Sequence, residues 1–581
     1  MARLAILLHQ GDPEKEQALL GRALEFLGVP WKSISVAGFC DVDSESEEQV
    51  VFGSASCIAR VFEHAGTIER CLERATVFYA YADPNRAEAQ RGIRQLLGSS
   101  RVKIRDGTEG IVRVEVFSGF DATAGAMAGI CANLRMRKED ASLAGIEEQA
   151  DKTEALISAD GAPIFVRTRH AGILIYLCAS SYLIDIEQEI DGGYYDIKEH
   201  FCSAVPLLLF IRLMFNQVAW QPQEIGACLI IDDPLLQRRY GCCNFDNLRK
   251  LMRELEFSTN IAFIPWNWWR TSRTASDLFD RGAGPFSVSI HGCDHVKAEF
   301  GDSSANLLYG RARLAQARMR RHQNRTGIRH EPVMVFPQGV FSSGCPAVLK
   351  RSGYVAAVNT EISPVDRSEG GTRIRDAWDV AIMKYGDFAI FTRRYAHHGM
   401  ENFAFDMLLG KPCFIVAHHE FFRNGNSALI QLLEGLRARN CRLQWQTLGA
   451  VIRKACRRRC VGPGAEEIRM YASELSVNHR GDQALHVHIR KPEHDLAEIQ
   501  DVRCGQTCMP WQAEADDIGF DATIAPQSES AFSVSYRAPE QAMAYSATGT
   551  ANSRVAARRI LSEVRDACVG KYASVRSRSK N

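Results

Sequence analysis

Asp232 and Asp233 stand side by side at the end of the apolar run "CLIIDDPLL", residues 228–236. Two like charges there need a reason. Three further apolar runs stop on polar side chains. "FSVSIHGCDH" stops on His291, with His295 four residues on, "PCFIVAHHEFF" on His418 and His419, and "NIAFIPWNWWR" on Pro265, Trp266 and Asn267, with Trp269 close behind. A fifth run, "PVMVFPQG", reaches Pro337 and Gly339. Two aspartates and up to four histidines are the inventory of a divalent-cation site, since carboxylate and imidazole suit zinc and similar ions. A cation would also make the adjacent carboxylates tolerable. Successive strand side chains point to opposite faces, so Asp232 and Asp233 are expected to do different jobs.

Taken singly, each feature has a plainer reading. Asp-Asp-Pro after a strand is commonly a turn or helix cap. His-x3-His recurs by chance on helix faces, His418-His419 suits a buried pair, and the tryptophans suit a core or domain interface before a sugar platform. The weight lies in their order and placement within one segment.

The elements around them are strands alternating with helices. "FDNLRKLMRELEF", "ANLLYGRARLAQARMRRHQ" and "SSGCPAVLKRSG" read as helices, the last with a serine cap, Pro346 in its first turn and Gly353 as its stop. Parallel strands joined by helices present their C-terminal ends on one face, the face that carries chemistry in β/α barrels.

This set resembles the polysaccharide deacetylase family, carbohydrate esterase family 4, which includes chitin and peptidoglycan deacetylases. The match covers about 225–425. The family's Thr-Phe-Asp-Asp is Ile230-Ile231-Asp232-Asp233 here, and its His-Ser/Thr-x-x-His is "HGCDH". Its Arg-x-Pro-x-Gly is "VFPQG", and its Leu-x-His corresponds to "VAHH". The resemblance implies a distorted (β/α)7 barrel. It implies Asp232 as general base, Asp233, His291 and His295 as ligands of a divalent metal, most often Zn2+, and His418, or else His419, as general acid. Trp266, Asn267, Trp269, Pro337 and Gly339 become the expected substrate-binding positions. The implied reaction is removal of N-acetyl groups from an amino-sugar polysaccharide or glycan precursor. Two departures stand out. The motif arginine that orients the base is Val335, with Arg270, Arg375 and Arg393 as candidates to replace it, and position 292 is Gly where Ser or Thr is usual. "IRDAWD", with Asp376, Trp378 and Asp379, is a loose match to the remaining motif. Glu299 continues the histidine spacing, either as a carboxylate holding a histidine ring or on a solvated helix face.

Besides a lesser third reading, in which the N-terminal α/β domain carries the main function and the barrel is regulatory, two rival functions remain. One is a non-catalytic carbohydrate-binding protein on a degenerate barrel, against which the retained Asp232 argues. The other is a metal-dependent amidohydrolase of a small non-sugar amide.

The 581 residues should form several domains. An N-terminal open α/β domain is expected over 1–190, with strands such as "RLAILLHQ" and "ATVFYAYA" and no phosphate-binding glycine motif. The barrel is expected over 195–462, a small β-sandwich over 463–545, and a C-terminal helix and tail over 546–581. With 70 Lys+Arg against 69 Asp+Glu, nothing points to nucleic acid or an acidic membrane as partner. The stretch "AVPLLLFIRLMF" is too short to span a bilayer and reads as a buried helix. The start lacks a small-residue cleavage region, and 18 scattered cysteines suit reduced thiols, so a cytoplasmic location is expected. Cys456/Cys460 and Cys504/Cys508 are spaced C-x3-C, which reads as chance rather than metal binding.

Overall fold

The apolar runs that end in acids and histidines become parallel strands buried on both faces. A computed structural model describes residues 4–10, 15–41, 48–107, 110–117, 125–137, 139–146, 153–279, 286–367, 370–439, 443–539, 553, 555–566 and 568. It divides into two compact units. The first holds Met1–Gln188, Asp196–Gln221 and Met400–Leu408; the second holds Glu189–Tyr195, Pro222–Gly399 and the chain from Leu409 onward.

The first unit contains an open nine-stranded sheet. Trp31–Ser35, Leu4–His9, Gln49–Ser54, Val77–Tyr81 and Ile173–Cys178 run parallel in that order. Ala162–His170, Thr153–Ala159, Ile111–Val116 and Cys131–Arg135 extend it antiparallel. The segment expected to be a buried helix is one: Phe201–Met214 is inaccessible over all but its last two residues. Among the described residues, no helix is long and apolar enough to cross a membrane.

The second unit contains a nearly closed parallel barrel. Its strands follow the order Ile390–Thr392, Ala356–Asn359, Val333–Val335, Phe286–His291, Thr259–Phe263, Gly226–Asp232, Cys413–Ala417, Arg394–Tyr395. The two ends of this path, Ile390–Thr392 and Arg394–Tyr395, are separated by Arg393 alone. The sheet must therefore curl round until its edges meet at one stretch of chain. Every residue of Gly226–Asp232, Thr259–Phe263 and Phe286–His291 is buried, as befits strands with no solvent face. The polar residues inside them satisfy one another: Asn260 Nδ2 donates to Ser289 Oγ at 2.7 Å, and Ser287 Oγ donates to Asn260 Oδ1 at 3.1 Å.

Helices flank the barrel. Phe245–Glu254 starts at Asn244, whose side chain accepts from Asn247 N, and buries Phe245, Leu248, Leu251 and Met252 along one stripe. Ala305–Thr326 starts at Ser304 and stops at Gly327 in the left-handed conformation. Cys345–Arg351 has Pro346 in its first turn, but its N-cap is Gly344 and no serine side chain caps it.

Register decides what gathers at the strand ends. Asp232 lies beside Ala262, Ile231 beside Ala417, and His291 beside Val335. His418 and His291 therefore emerge at the same end of the barrel as Asp232.

After the barrel come mostly antiparallel strands, including Leu485–Pro492, Ile499–Cys504 and Ser528–Tyr536, the first of which pairs parallel with Ala465–Met470. They belong to two sheets that share a core of Ile468, Val477, Val487, Ile489, Phe520 and Phe532. A helix covers 555–566. The stretch 540–552 and the basic end "SVRSRSK" lie outside the described residues.

Candidate metal centre

Asp233, His291 and His295 come together at the barrel mouth. Asp233 Oδ1 is 3.1 Å from His291 Nε2 and 2.9 Å from His295 Nε2. The distances suit contact, yet this buried carboxylate atom meets no hydrogen-bond donor in acceptable geometry. Three potential ligand atoms facing one point, with a lone pair unused, fit a divalent cation. Burial opposes the Asp233 charge, but the two imidazoles override it and hold the carboxyl well below its usual range.

The local backbone explains the convergence. His291 closes its strand. Gly292 and His295 then adopt left-handed conformations, with φ of 65° and 56°. Together they fold the chain into a turn rather than the helix that His-x3-His suggests. Glu299 holds that turn: it is 3% exposed and accepts from the backbone N–H of Cys293, Asp294 and His295 at 2.8, 3.0 and 3.1 Å. The expectation that Glu299 grips a histidine ring, or lies on a solvated face, is therefore corrected. It grips the backbone beneath the rings.

Glycine at 292 follows from the same geometry. A Cβ there would sit 2.0 Å from Glu299 Oε1 and 2.4 Å from Pro337 Cγ. Glu299 cannot retreat without releasing three N–H groups. Gly292→Ser is expected to destabilise the protein by about 2 kcal/mol or more and to lower bound metal, because strain and overpacking act together. Thermal melting and metal analysis of the purified variant check this; a variant that melts and binds metal like wild type would refute it.

His291 has its other nitrogen committed. Nδ1 lies 3.0 Å from the carbonyl oxygen of Val335, to which it donates, leaving Nε2 free as a ligand. Val335 thus contributes to the site through its backbone. Burial lowers the His291 pKa, but Asp232 and then Asp233 raise it further, and the net shift is upward.

Asp232 points elsewhere, as strand alternation requires. It is 2% exposed and takes a bidentate contact from Arg393, whose Nη1 and Nη2 donate to Oδ1 and Oδ2 at 2.7 and 2.8 Å. Burial would raise its pKa. Arg393, then His291, outweigh burial and hold it below the usual value. Of the three candidate arginines, Arg393 occupies this position. Arg270 instead grips Glu563.

A cavity of about 310 Å³ joins these groups, lined by Asp232, Asp233, His291, His295, Gly339 and His418 among others. His418 is exposed in it, with Nε2 3.4 Å from the Tyr395 hydroxyl. His419 is buried and turned toward Asp566, 3.4 Å away, and does not line the cavity. Neither do Trp266, Asn267, Trp269 or Pro337. Trp266 and Trp269 meet edge to face with Arg270 against both rings, and buried Asn267 accepts from Arg270 Nη1 at 3.3 Å. Asp379 pairs with Arg457 and Tyr471, away from the cavity.

Sequence reasoning missed Tyr240, Glu361 and Tyr395 in the cavity wall. It also missed Arg558, Arg559, Arg565 and Asp566 from the 555–566 helix. The helix was legible as a helix, but no local signal indicates that it lies over the barrel mouth.

No family model matches the sequence, and no curated protein matches it. Among solved structures, the chain is similar to the Xyl-CE4 domain of a multidomain xylanase from the hindgut metagenome of Trinervitermes trinervoides, with 12% identity, 40% of this chain and 91% of that one covered, and a TM-score of 0.25. It is similar to the chitin deacetylase of Colletotrichum lindemuthianum, with 15% identity, 40% and 89% coverage and a TM-score of 0.25. A family 4 carbohydrate esterase from Streptomyces lividans gives 13% identity, 38% and 90% coverage and a TM-score of 0.23. At these TM-scores the likenesses carry no argument about what this chain does.

Proposed function

We propose that this protein is a metal-dependent hydrolase that removes N-acetyl groups from an amino-sugar glycan or glycan precursor, on a distorted (β/α)7 barrel. Counting Ile390–Thr392 and Arg394–Tyr395 as one strand interrupted at Arg393 leaves seven strands around the barrel, which supports this reading of the fold. One observation carries the function. The Asp233, His291 and His295 ligand atoms converge, Asp233 Oδ1 having no hydrogen-bond partner, in a cavity that also holds the buried Asp232 carboxylate and the exposed His418 imidazole.

Asp233, His291 and His295 would hold the ion, and one carboxylate with two imidazoles suits Zn2+. When bound it supplies Lewis-acid polarisation of the amide carbonyl and acidification of water. Asp232 takes a proton from the attacking water, and Arg393 keeps it ionised and oriented for that step. The Asp233 N–H is committed to the Ala262 carbonyl at 3.3 Å and the Gly339 N–H to the Phe336 carbonyl at 3.2 Å, so Gln338, which lines the cavity, is the better source of a backbone donor for the developing oxyanion. His418 gives a proton to the departing amine. Tyr395 steadies its ring.

His418→Ala is expected to keep its metal and lose turnover by ~10²–10⁴-fold. Metal analysis beside acetate release from N-acetylglucosamine oligomers, with and without chelator, tests the whole reading. No bound metal and no effect of chelation would instead favour a carbohydrate-binding protein. Chelator-sensitive release of acetate only from small non-sugar amides would favour the other rival.

A further inference from the structure

The wall that the 555–566 helix adds to the cavity is basic. Arg558, Arg559, Ser562 and Arg565 all line it and recur at helical spacing along one side. Among the cavity's arginines, two have their charge matched. Arg393 is bound by Asp232, and Arg565 lies 2.9 Å from Asp566, which also accepts from the Tyr240 hydroxyl at 2.7 Å. Among the described residues, the other two do not. Arg559 is 8% exposed, and among the described residues its polar contact is donation from Nη2 to His295 Nδ1 at 3.2 Å, a neutral acceptor that cannot offset a guanidinium charge. Arg558 is half-buried and makes no hydrogen bond or ion pair among the described residues.

Two unmatched guanidiniums beside three cation-binding ligands are unfavourable without an anion, because buried charge needs a partner. The cavity's own carboxylates do not provide one. Asp232 is occupied by Arg393, Asp233 faces the two imidazoles, and Glu361, whose pKa burial raises, pairs with neither arginine. The helix is also fixed in place. Glu563 takes both guanidinium nitrogens of Arg270, the Nη2 contact being 2.6 Å, and Asp566 is tied to Tyr240. Arg558 and Arg559 are thereby held as part of the wall, and the planar fork of arginine suits carboxylate or phosphate.

We propose that the substrate carries an anionic group, a carboxylate or a phosphate, near its N-acyl group, and that Arg558 and Arg559 bind it. This rests on the hydrolase reading above and specifies its substrate class as an acidic N-acetylated sugar.

The test uses the full-length protein, its double variant Arg558→Gln/Arg559→Gln, and the single variant Arg558→Gln, whose half-buried position makes misfolding a lesser concern. Acetate release is compared for N-acetylglucosamine 1-phosphate, N-acetylmuramic acid and uncharged N-acetylglucosamine oligomers; the first two separate phosphate from carboxylate. Wild type should prefer at least one acidic substrate in kcat/KM. The preference should fall about 10–100-fold in the double variant, mainly through KM, and part of the way in the single variant. Metal content should match wild type in the Arg558→Gln variant, and rates of the double variant are compared per bound metal, because Arg559 touches His295. A second arm does not need turnover: inorganic phosphate is titrated calorimetrically into metal-free wild type and double variant. Binding about 10-fold weaker or more in the variant supports the proposal even if no substrate is deacetylated, which would count against the hydrolase reading alone. Equal phosphate affinity in the two proteins, an undiminished preference for acidic substrate, or faster turnover of every substrate by the variants would overturn it.

Discussion

Asp233→Asn, purified beside wild type without chelator, is expected to carry less than about a tenth of the wild-type metal and to release no measurable acetate. Asp233 is the only anion among the three converging ligands, and Asn keeps its shape while removing its charge. Losing a ligand should cost more than the ~10–100-fold in affinity that removal of an outer partner costs. Folding should survive with some loss of stability, because Asn keeps the shape of Asp233 but not the charge that the two imidazoles favour. Metal analysis, thermal melting and the acetate assay on one preparation separate these effects. A metal-replete, active Asp233→Asn protein would sink the proposed site.

Arg393→Gln should be as damaging by a different route. The Asp232–Arg393 pair is buried, each side chain being 3% exposed, and its two contacts are 2.7 and 2.8 Å. Removing one member of such a pair leaves an uncompensated charge, at a cost of ~3–5 kcal/mol. Asp232 also loses the main group opposing the effect of burial on its pKa, so its carboxyl should take up a proton and cease to act as a base. Turnover should fall by ~10²–10⁴-fold. Adding Asp232→Asn removes the stranded charge. The double variant should regain much of the lost stability while staying inactive, a coupling that denaturation of wild type, both single variants and the pair measures directly. Additive stabilities, or a fully active Arg393→Gln protein, would show that the pair lacks the proposed role.

The candidate site was legible where local pattern decides structure. The runs ending at Asp232, His291 and His418 read as strands because each is continuously apolar, and each is buried throughout as a strand. The difference between Asp232 and Asp233 follows from strand alternation, and one now faces Arg393 while the other faces two imidazoles. The spacing of His291 and His295 suggested a helix face and misled. Glu299 and Gly292 make a turn there instead, through backbone contacts that leave no periodic signal. Three arginines could have replaced the one missing at Val335. Their spacing could not rank them, because the choice depends on where the barrel seam falls, and it falls at Arg393. The tryptophans suited a core or interface before a sugar platform by residue type, and Trp266 and Trp269 pack against Arg270.

By itself, then, the sequence determined the strands, their helical connections and the side chains that cap them, since burial periodicity and chain stops are local properties. Tertiary structure alone decided which of those side chains meet. Curling the sheet until Ile390–Thr392 and Arg394–Tyr395 abut brings Arg393 to Asp232, and folding back the chain's far end sets Arg559 against His295. Such contacts join residues 161 and 264 positions apart. They are fixed by sheet twist, register and packing summed over the whole barrel, which no short stretch of sequence encodes.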